Sequence, residues 1–309
     1  MNKTSFNEYI DQGYNHIPVF REVVLDTDTA LGLYLKLANN TYSYLFESVQ
    51  GGEKWGRYSI IGLHAQTVIK VFDYEIQVEK DSNIIERFQV EDPLAWIEQY
   101  QQQFKVPEIA DLPEFNGGLV GYFGYEIIRY IEPKLKDIKL KDELNIADIL
   151  LMVSNDLVVF DNLANKAFLL THVNPETQSY DQAMAYLDSM AADIDRPLVK
   201  QDYQSDNLTT QDFSSSFGEQ NYKDVVEHIQ RYIIAGDVMQ VVPSQRLSAS
   251  YKAPPVELYR QLRRLNPSPY MYYLNLGDVD IIGSSPEILT RVDSDRQATV
   301  RPRRYQGSR

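Results

Sequence analysis

Glu47, Ser48 and Arg57 are the first residues whose types and spacing could do chemistry. They bracket a Gly-rich turn, Gly51-Gly52-Glu53-Lys54-Trp55-Gly56, that follows the apolar pair Leu45-Phe46. One reading is a hairpin with a charged tip. The other is a small-molecule pocket, in which Ser48 offers a hydroxyl and Glu47 an anion for a ligand amine. Arg57 then offers a fork for a ligand carboxylate or for a structural carboxyl. A second stretch, Asn266-Pro267-Ser268-Pro269-Tyr270-Met271, links a helix end to a strand. Its prolines fix the backbone and present Tyr270 and Met271 at set angles. That suits a rigid connection, or an apolar wall for an aromatic amino acid. The third is Gly283-Ser284-Ser285-Pro286-Glu287. A carboxylate after a rigid Ser-Pro turn serves as a general acid if burial raises its pKa.

Other chemistries find no support in the spacing. Gly117-Gly118 with Gly121 and Gly124 lacks the order of a phosphate loop and has no Walker lysine, so close backbone packing is the better reading. The 4 histidines, His16, His64, His172 and His228, show no paired metal spacing. With Cys 0, disulfides, thiolate metal sites and cysteine nucleophiles are excluded. The formal charge of −14 repels phosphate backbones and argues against nucleic acid as a partner. No apolar run is long enough to span a bilayer, and Met1 to Gly13 is too polar for a signal peptide. The expectation is a cytoplasmic protein with no membrane partner.

The elements that must position these residues follow from periodicity. A short helix is predicted over 28–40, with Asp28 as its cap, then strands over 42–48 and 59–71. Asp92-Pro93 opens a helix to about Gln103, with proline at the first helical position. The glycine run 116–125 is a strand leading to a helix. Residues 149–156, 157–161 and 166–172 read as a β meander, and 175–195 as an amphipathic helix. Residues 196–216, rich in Ser, Gln and Asp, read as a linker. A second unit then predicts a helix over 222–235 ended by Gly236, a strand over 237–247 and a helix from Pro254-Pro255. A hairpin around Gly277-Asp278 and strands over 287–292 and 298–301 complete it. Hairpin-linked strands with interspersed helices predict an α+β fold, an antiparallel β-sandwich-like core flanked by helices.

The ordered set of motifs resembles the large subunit, component I, of anthranilate synthase. It comprises Leu45-Phe46-Glu47-Ser48 with Trp55-Gly56-Arg57-Tyr58-Ser59, the Gly117-to-Tyr125 run, and Gln240-Val241-Val242-Pro243-Ser244-Gln245-Arg246. Asn266-to-Met271, Gly283-to-Glu287 and Thr299-Val300-Arg301-Pro302 follow in the same order. The resemblance runs from about Pro18 to Pro302. It implies residues 18–195 as the family's N-terminal domain, the linker 196–216, and residues 217–309 as the first part of the chorismate-binding domain. It also implies the first step of tryptophan biosynthesis, in which chorismate and ammonia give anthranilate and pyruvate with Mg²⁺. A glutamine amidotransferase subunit, component II, would deliver the ammonia. A feedback site for tryptophan would match Glu47, Ser48, Pro269, Tyr270 and Met271. Glu287 would protonate the departing ring hydroxyl. Gln240 stands where water-adding relatives place a lysine base; an amide cannot deprotonate water, so ammonia is favoured as nucleophile. The alternatives are aminodeoxychorismate synthase component I, or a non-catalytic tryptophan-binding or subunit-docking fragment.

The sequence departs from the family after Pro302. There the family continues Ile-Ala-Gly-Thr-Arg, whereas this chain reads Arg303-Arg304-Tyr305-Gln306-Gly307-Ser308-Arg309. A codon string for Ile-Ala-Gly-Thr-Arg-Gly-His, read from its third base, encodes Arg-Arg-Tyr-Gln-Gly-Ser. The expectation is a frameshifted tail on a truncated chain, with the family's Mg²⁺ ligands beyond it and no synthase activity for this chain alone.

Overall fold

Most of the strands in the first half of the chain are apolar runs whose inner face a neighbouring element covers. The computed structural model describes residues 1–48, 57–136, 138, 142–198, 202–203, 208–293 and 296–300. The described residues form two units, one from Met1–Val199 together with Tyr259–Arg309, the other from Lys200–Leu258. In chain order the elements open with α1 (Lys3–Asp11), β1 (Ile17–Val24), α2 (Ala30–Leu33, continued by a π turn over Tyr34–Ala38) and β2 (Ser43–Glu47). Next come β3 (Tyr58–Gly62), β4 (Thr67–Phe72), β5 (Glu75–Lys80), β6 (Asn83–Gln89), α3 (Pro93–Gln102) and β7 (Gly118–Phe123). They are followed by α4 (Ile128–Ile131), β8 (Ile149–Ser154), β9 (Asp156–Asp161), β10 (Lys166–Val173) and α5 (Tyr180–Ile194). The rest are β11 (Ser214–Ser215), α6 (Glu219–Ala235), β12 (Leu247–Ser248), α7 (Pro255–Leu265), β13 (Tyr270–Asn275), β14 (Asp280–Ser285), β15 (Thr290–Val292) and β16 (Ala298–Val300).

The first unit is built on two antiparallel sheets, as the α+β expectation requires. One runs β1-β10-β9-β3-β2-β13-β14 and the other β6-β5-β4-β8-β7. They share an apolar core: Tyr44 and Leu274 from the larger sheet meet Val68, Val120, Leu150 and Met152 from the smaller. Helices cover the outer faces. Ile97 of α3 packs with Ile69, Ile76 and Leu151, while Ala183, Leu187, Met190 and Ile194 form the buried stripe of α5. Most buried polar groups are tied down. Asp161 is fully buried at its side chain and pairs with Arg57 at 2.8 Å. It also accepts the N–H groups of Leu163 and Ala164, both at 3.1 Å.

Local rules explain most element ends. Asp92 accepts the N–H groups of Leu94 and Ala95 and starts α3, as predicted. Ser179 and Gln182 form a capping box, so α5 starts at Tyr180 and not at Pro175. Gly236 ends α6 at φ 84°, the left-handed region that glycine adopts without strain. The cap of α2 is Thr29, whose hydroxyl accepts the Gly32 N–H at 3.1 Å. Asp28, predicted for that role, lies one residue too early and pairs with Lys36 at 2.7 Å instead.

Three larger expectations are corrected. The predicted meander is split: β8 pairs with β4 and β7, whereas β9 pairs with β10 and β3, so the chain changes sheets at Asn155. Both runs are equally apolar, and periodicity cannot say which sheet takes which run. The strand predicted over 237–247 reduces to Leu247–Ser248 paired with Ser214–Ser215. Val242 there is 68% exposed, and Pro243 carries no N–H for a ladder. The strand predicted over 287–292 begins only at Thr290. The Gly277 hairpin itself forms as expected, but β13 adds to β2, so it belongs to the sheet of the first unit.

Candidate ligand-binding site

The pairing of β2 with β13 sets Glu47 opposite Met271 and Phe46 opposite Tyr272. Residues from the two ends of the sequence therefore become neighbours. Beside this ladder opens a cavity of about 650 Å³ lined by Phe46, Glu47, Ser48, Pro269, Tyr270 and Met271, with Tyr58, Ile60, Tyr122, Phe123 and Tyr272 among its other walls. Its lining is apolar and aromatic, with few polar groups, which is the composition of a site for a flat apolar ligand with a polar end. All of Glu47, Ser48, Pro269, Tyr270 and Met271 contribute to it. The turn 51–56 lies outside the described residues.

The strand ends set these side chains. Ser268 is buried, its hydroxyl donates to the Ser285 carbonyl, and it accepts the Tyr270 N–H at 3.2 Å. This locks the turn before Tyr270 onto the end of β14. Gly121 admits the opposite wall, since a Cβ there would stand 1.8 Å from the Leu150 carbonyl oxygen. The close-packing reading of that glycine is the one observed.

Glu47 is partnered by residues that the sequence did not single out. Its side chain is 4% exposed. Tyr259 Oη donates to Oε2 at 2.6 Å, and Arg263 Nη2 donates to Oε1 at 3.1 Å. Arg263 Nε lies 3.0 Å from Oε2 but off the line of its N–H, so that contact pairs charge without a hydrogen bond. Burial, and then the Glu47 carboxylate, push the Tyr259 phenol well above its ordinary range, so it stays a donor. Tyr259 stacks on Tyr273 with centroids 6.0 Å apart. The only sequence signal was the one-turn spacing of Tyr259 and Arg263 on α7, a pattern shared by many structural pairs. Arg57 takes the structural-carboxyl option, on Asp161.

A second, polar cavity of about 550 Å³ lies elsewhere in the first unit and is lined by His16, Lys80, Asn155, Asp156 and His172, among others. His16 and His172 stack at 4.7 Å with an 18° interplanar angle because β1 and β10 pair. Burial, and then the neighbouring His172, hold His16 down to about 3. Glu287 is half-buried just past β14, where Ser285 Oγ donates to its carbonyl at 2.9 Å. Gln240 is exposed in the second unit, between α6 and β12. The tail 303–309 lies outside the described residues.

The model of the chorismate binding enzyme family matches residues 43–302, and the chain belongs to that family. It is 48% identical over 306 residues to anthranilate synthase component 1 of Pseudomonas putida, covering 98% of this chain and 62% of that protein. The corresponding protein of Pseudomonas aeruginosa is 47% identical with the same coverage, 98% and 62%. The chain thus spans about three-fifths of the length of these relatives. The crystal structure of anthranilate synthase component I from Streptococcus pneumoniae superposes with a TM-score of 0.64 at 25% identity, covering 88% of this chain and 59% of that one.

The family resemblance implies Mg²⁺. Among the described residues no group of three or more His, Cys, Asp or Glu side chains is placed to hold a metal ion, so they do not offer Mg²⁺ a donor set. Among the same residues no helix is long and apolar enough to cross a membrane.

Proposed function

We propose that this chain corresponds to part of an anthranilate synthase component I and that its aromatic cavity binds tryptophan as a feedback inhibitor. The observation that carries the reading is the convergence of Glu47 and Ser48 with Pro269, Tyr270 and Met271 on one cavity. An indole ring fits walls of this kind, with Tyr58, Tyr122, Phe123, Tyr270 and Tyr272 among them. In the whole protein the substrates would be chorismate and ammonia, the products anthranilate and pyruvate, and the partner a glutamine amidotransferase. Glu287 would protonate the departing ring hydroxyl. Gln240, which cannot serve as a base toward water, leaves ammonia as the nucleophile.

For this chain by itself the proposal is tryptophan binding without turnover. Calorimetric titration with L-tryptophan tests it, and saturable binding at one site is expected. An absence of binding heat at any workable concentration overturns the cavity assignment. Fluorescent anthranilate formed from chorismate, ammonia and Mg²⁺ by the purified chain overturns the expectation of inactivity.

A further inference from the structure

The segments Asn266-to-Met271 and Gly283-to-Glu287 meet along one hairpin. The β13–β14 register sets Tyr270 opposite Ser285 and Tyr272 opposite Gly283. Tyr270 and Tyr272 are walls of the aromatic cavity, so the turn that carries Glu287 begins directly across the ladder from that cavity. Beyond the ladder, three serine hydroxyls fasten the two segments. Ser268 donates to the Ser285 carbonyl and accepts the Tyr270 N–H at 3.2 Å. Ser284 Oγ donates to the Asn266 carbonyl at 2.7 Å, and Ser285 Oγ donates to the Glu287 carbonyl at 2.9 Å. Ser268 is the member that touches both the cavity wall and the Glu287 turn. It is 4% exposed, so little water reaches either of its bonds. Pro267 and Pro269 flank it, and neither has an N–H to offer in its place. Their fixed φ makes the turn stiff, so a push on Pro269 or Tyr270 is passed on and not absorbed. Pro286 stiffens the step from Ser285 to Glu287 in the same way.

We infer that Ser268 is a positioning residue: it ties the cavity wall to the strand end that carries Glu287, so that a ligand against Pro269 and Tyr270 fixes the Ser285-Pro286-Glu287 turn. This rests on the tryptophan reading above and adds the contact through which an occupied cavity reaches the proposed acid. A ligand restrains Tyr270, the Tyr270 N–H holds the Ser268 hydroxyl in line, and that hydroxyl holds the Ser285 carbonyl. The coupling is a free energy shared by the cavity and the turn. It disappears with the hydroxyl, while the apolar walls that bind the ligand remain.

The test is hydrogen exchange read by mass spectrometry on the full chain, with and without L-tryptophan, beside calorimetric titration. In the wild type, saturating tryptophan is expected to slow exchange of the amides in 283–292 roughly fivefold, the equilibrium effect of one hydrogen bond. Ser268→Ala is expected to bind tryptophan within a few-fold of wild type and to lose that slowing. A purely structural Ser268 would raise exchange with and without ligand alike, so the ratio of the two rates is the quantity that decides. Ser268→Ala that binds tryptophan and still slows 283–292 as wild type does overturns the inference. So does wild-type chain that binds tryptophan while 283–292 exchanges at its unliganded rate, a result that needs no variant to fold. A wild-type chain that binds no tryptophan overturns the cavity reading itself and takes the coupling with it, which calorimetry separates from binding that leaves the turn unchanged.

Discussion

Glu47 and Met271 stand directly opposite each other across the β2–β13 ladder, on the face turned away from Phe46 and Tyr272, so one backbone register decides which side chains turn to the cavity and which to α7. A slip of one residue would turn both side chains to the other face. The cavity therefore depends on the sheet as much as on its lining residues.

The Tyr259 hydroxyl is the buried donor that fixes Glu47. Tyr259→Phe keeps the ring on Tyr273 but leaves the carboxylate short of a hydrogen bond. A loss of about 2 kcal/mol in unfolding free energy is expected, the usual worth of a hydrogen bond to a charged group. Chemical denaturation would measure it, and an unchanged midpoint would show that the bond contributes nothing.

Gly121 is the tightest point of the cavity wall. Gly121→Ala puts a methyl 1.8 Å from the Leu150 carbonyl oxygen, a backbone atom that cannot swing away. The β7–β8 ladder must shift, at an expected cost of about 2–3 kcal/mol. Thermal unfolding checks this, and a variant as stable as wild type contradicts it.

Asp161 and Arg57 form an asymmetric pair. Burial alone would raise the Asp161 carboxyl. The Arg57 guanidinium and the N–H groups of Ala164 and Leu163 more than offset that and hold it below its ordinary range. Asp161→Ala orphans those N–H groups and should cost about 3 kcal/mol. Arg57 is 45% exposed at its side chain, so Arg57→Ala should cost clearly less. Equal losses in paired denaturation curves would refute the asymmetry.

The stacked histidines make stability depend on pH. His16 is held down to about 3 and His172 is lowered, in each case chiefly by burial. An unfolded chain protonates both near the ordinary histidine value of 6.5, so below that pH the unfolded state binds more protons than the fold. Their contribution is complete above pH 6.5 and is lost as pH falls below it, for His16 down to about 3, at up to ~1.4 kcal/mol per pH unit for that ring. Asp156, in the same cavity, is raised by burial and acts in the opposite sense: it favours the fold at the lowest pH and that contribution fades as pH rises through its folded value. Denaturation midpoints should therefore drop between pH 7 and pH 4, and His16→Phe should flatten the drop. A flat wild-type profile would be inconsistent with buried neutral rings.

Much of the local structure was legible in the sequence because its causes are local. The Asp92-Pro93 start, the Gly236 stop and the Gly277 hairpin each depend on a few adjacent residues. The misplaced features depend on distant partners. Asp28 and Thr29 both suit a cap, and only the placement of the first turn selects Thr29. The runs 149–154 and 156–161 look alike, yet neighbouring strands assign them to different sheets. Val241-Val242 has strand-forming residues but no ladder partner among the described residues.

The same division holds for Glu47, Ser48 and Pro269–Met271. Residue order and type alone determined the family, the absence of cysteine chemistry and these candidate pocket residues, since motif order is a property of the chain. Tertiary structure decided that they line one cavity, that Glu47 is held by Tyr259 and Arg263, and that Arg57 serves Asp161. Those facts depend on strand register and helix packing, which join residues far apart in the chain and leave no periodic trace within it.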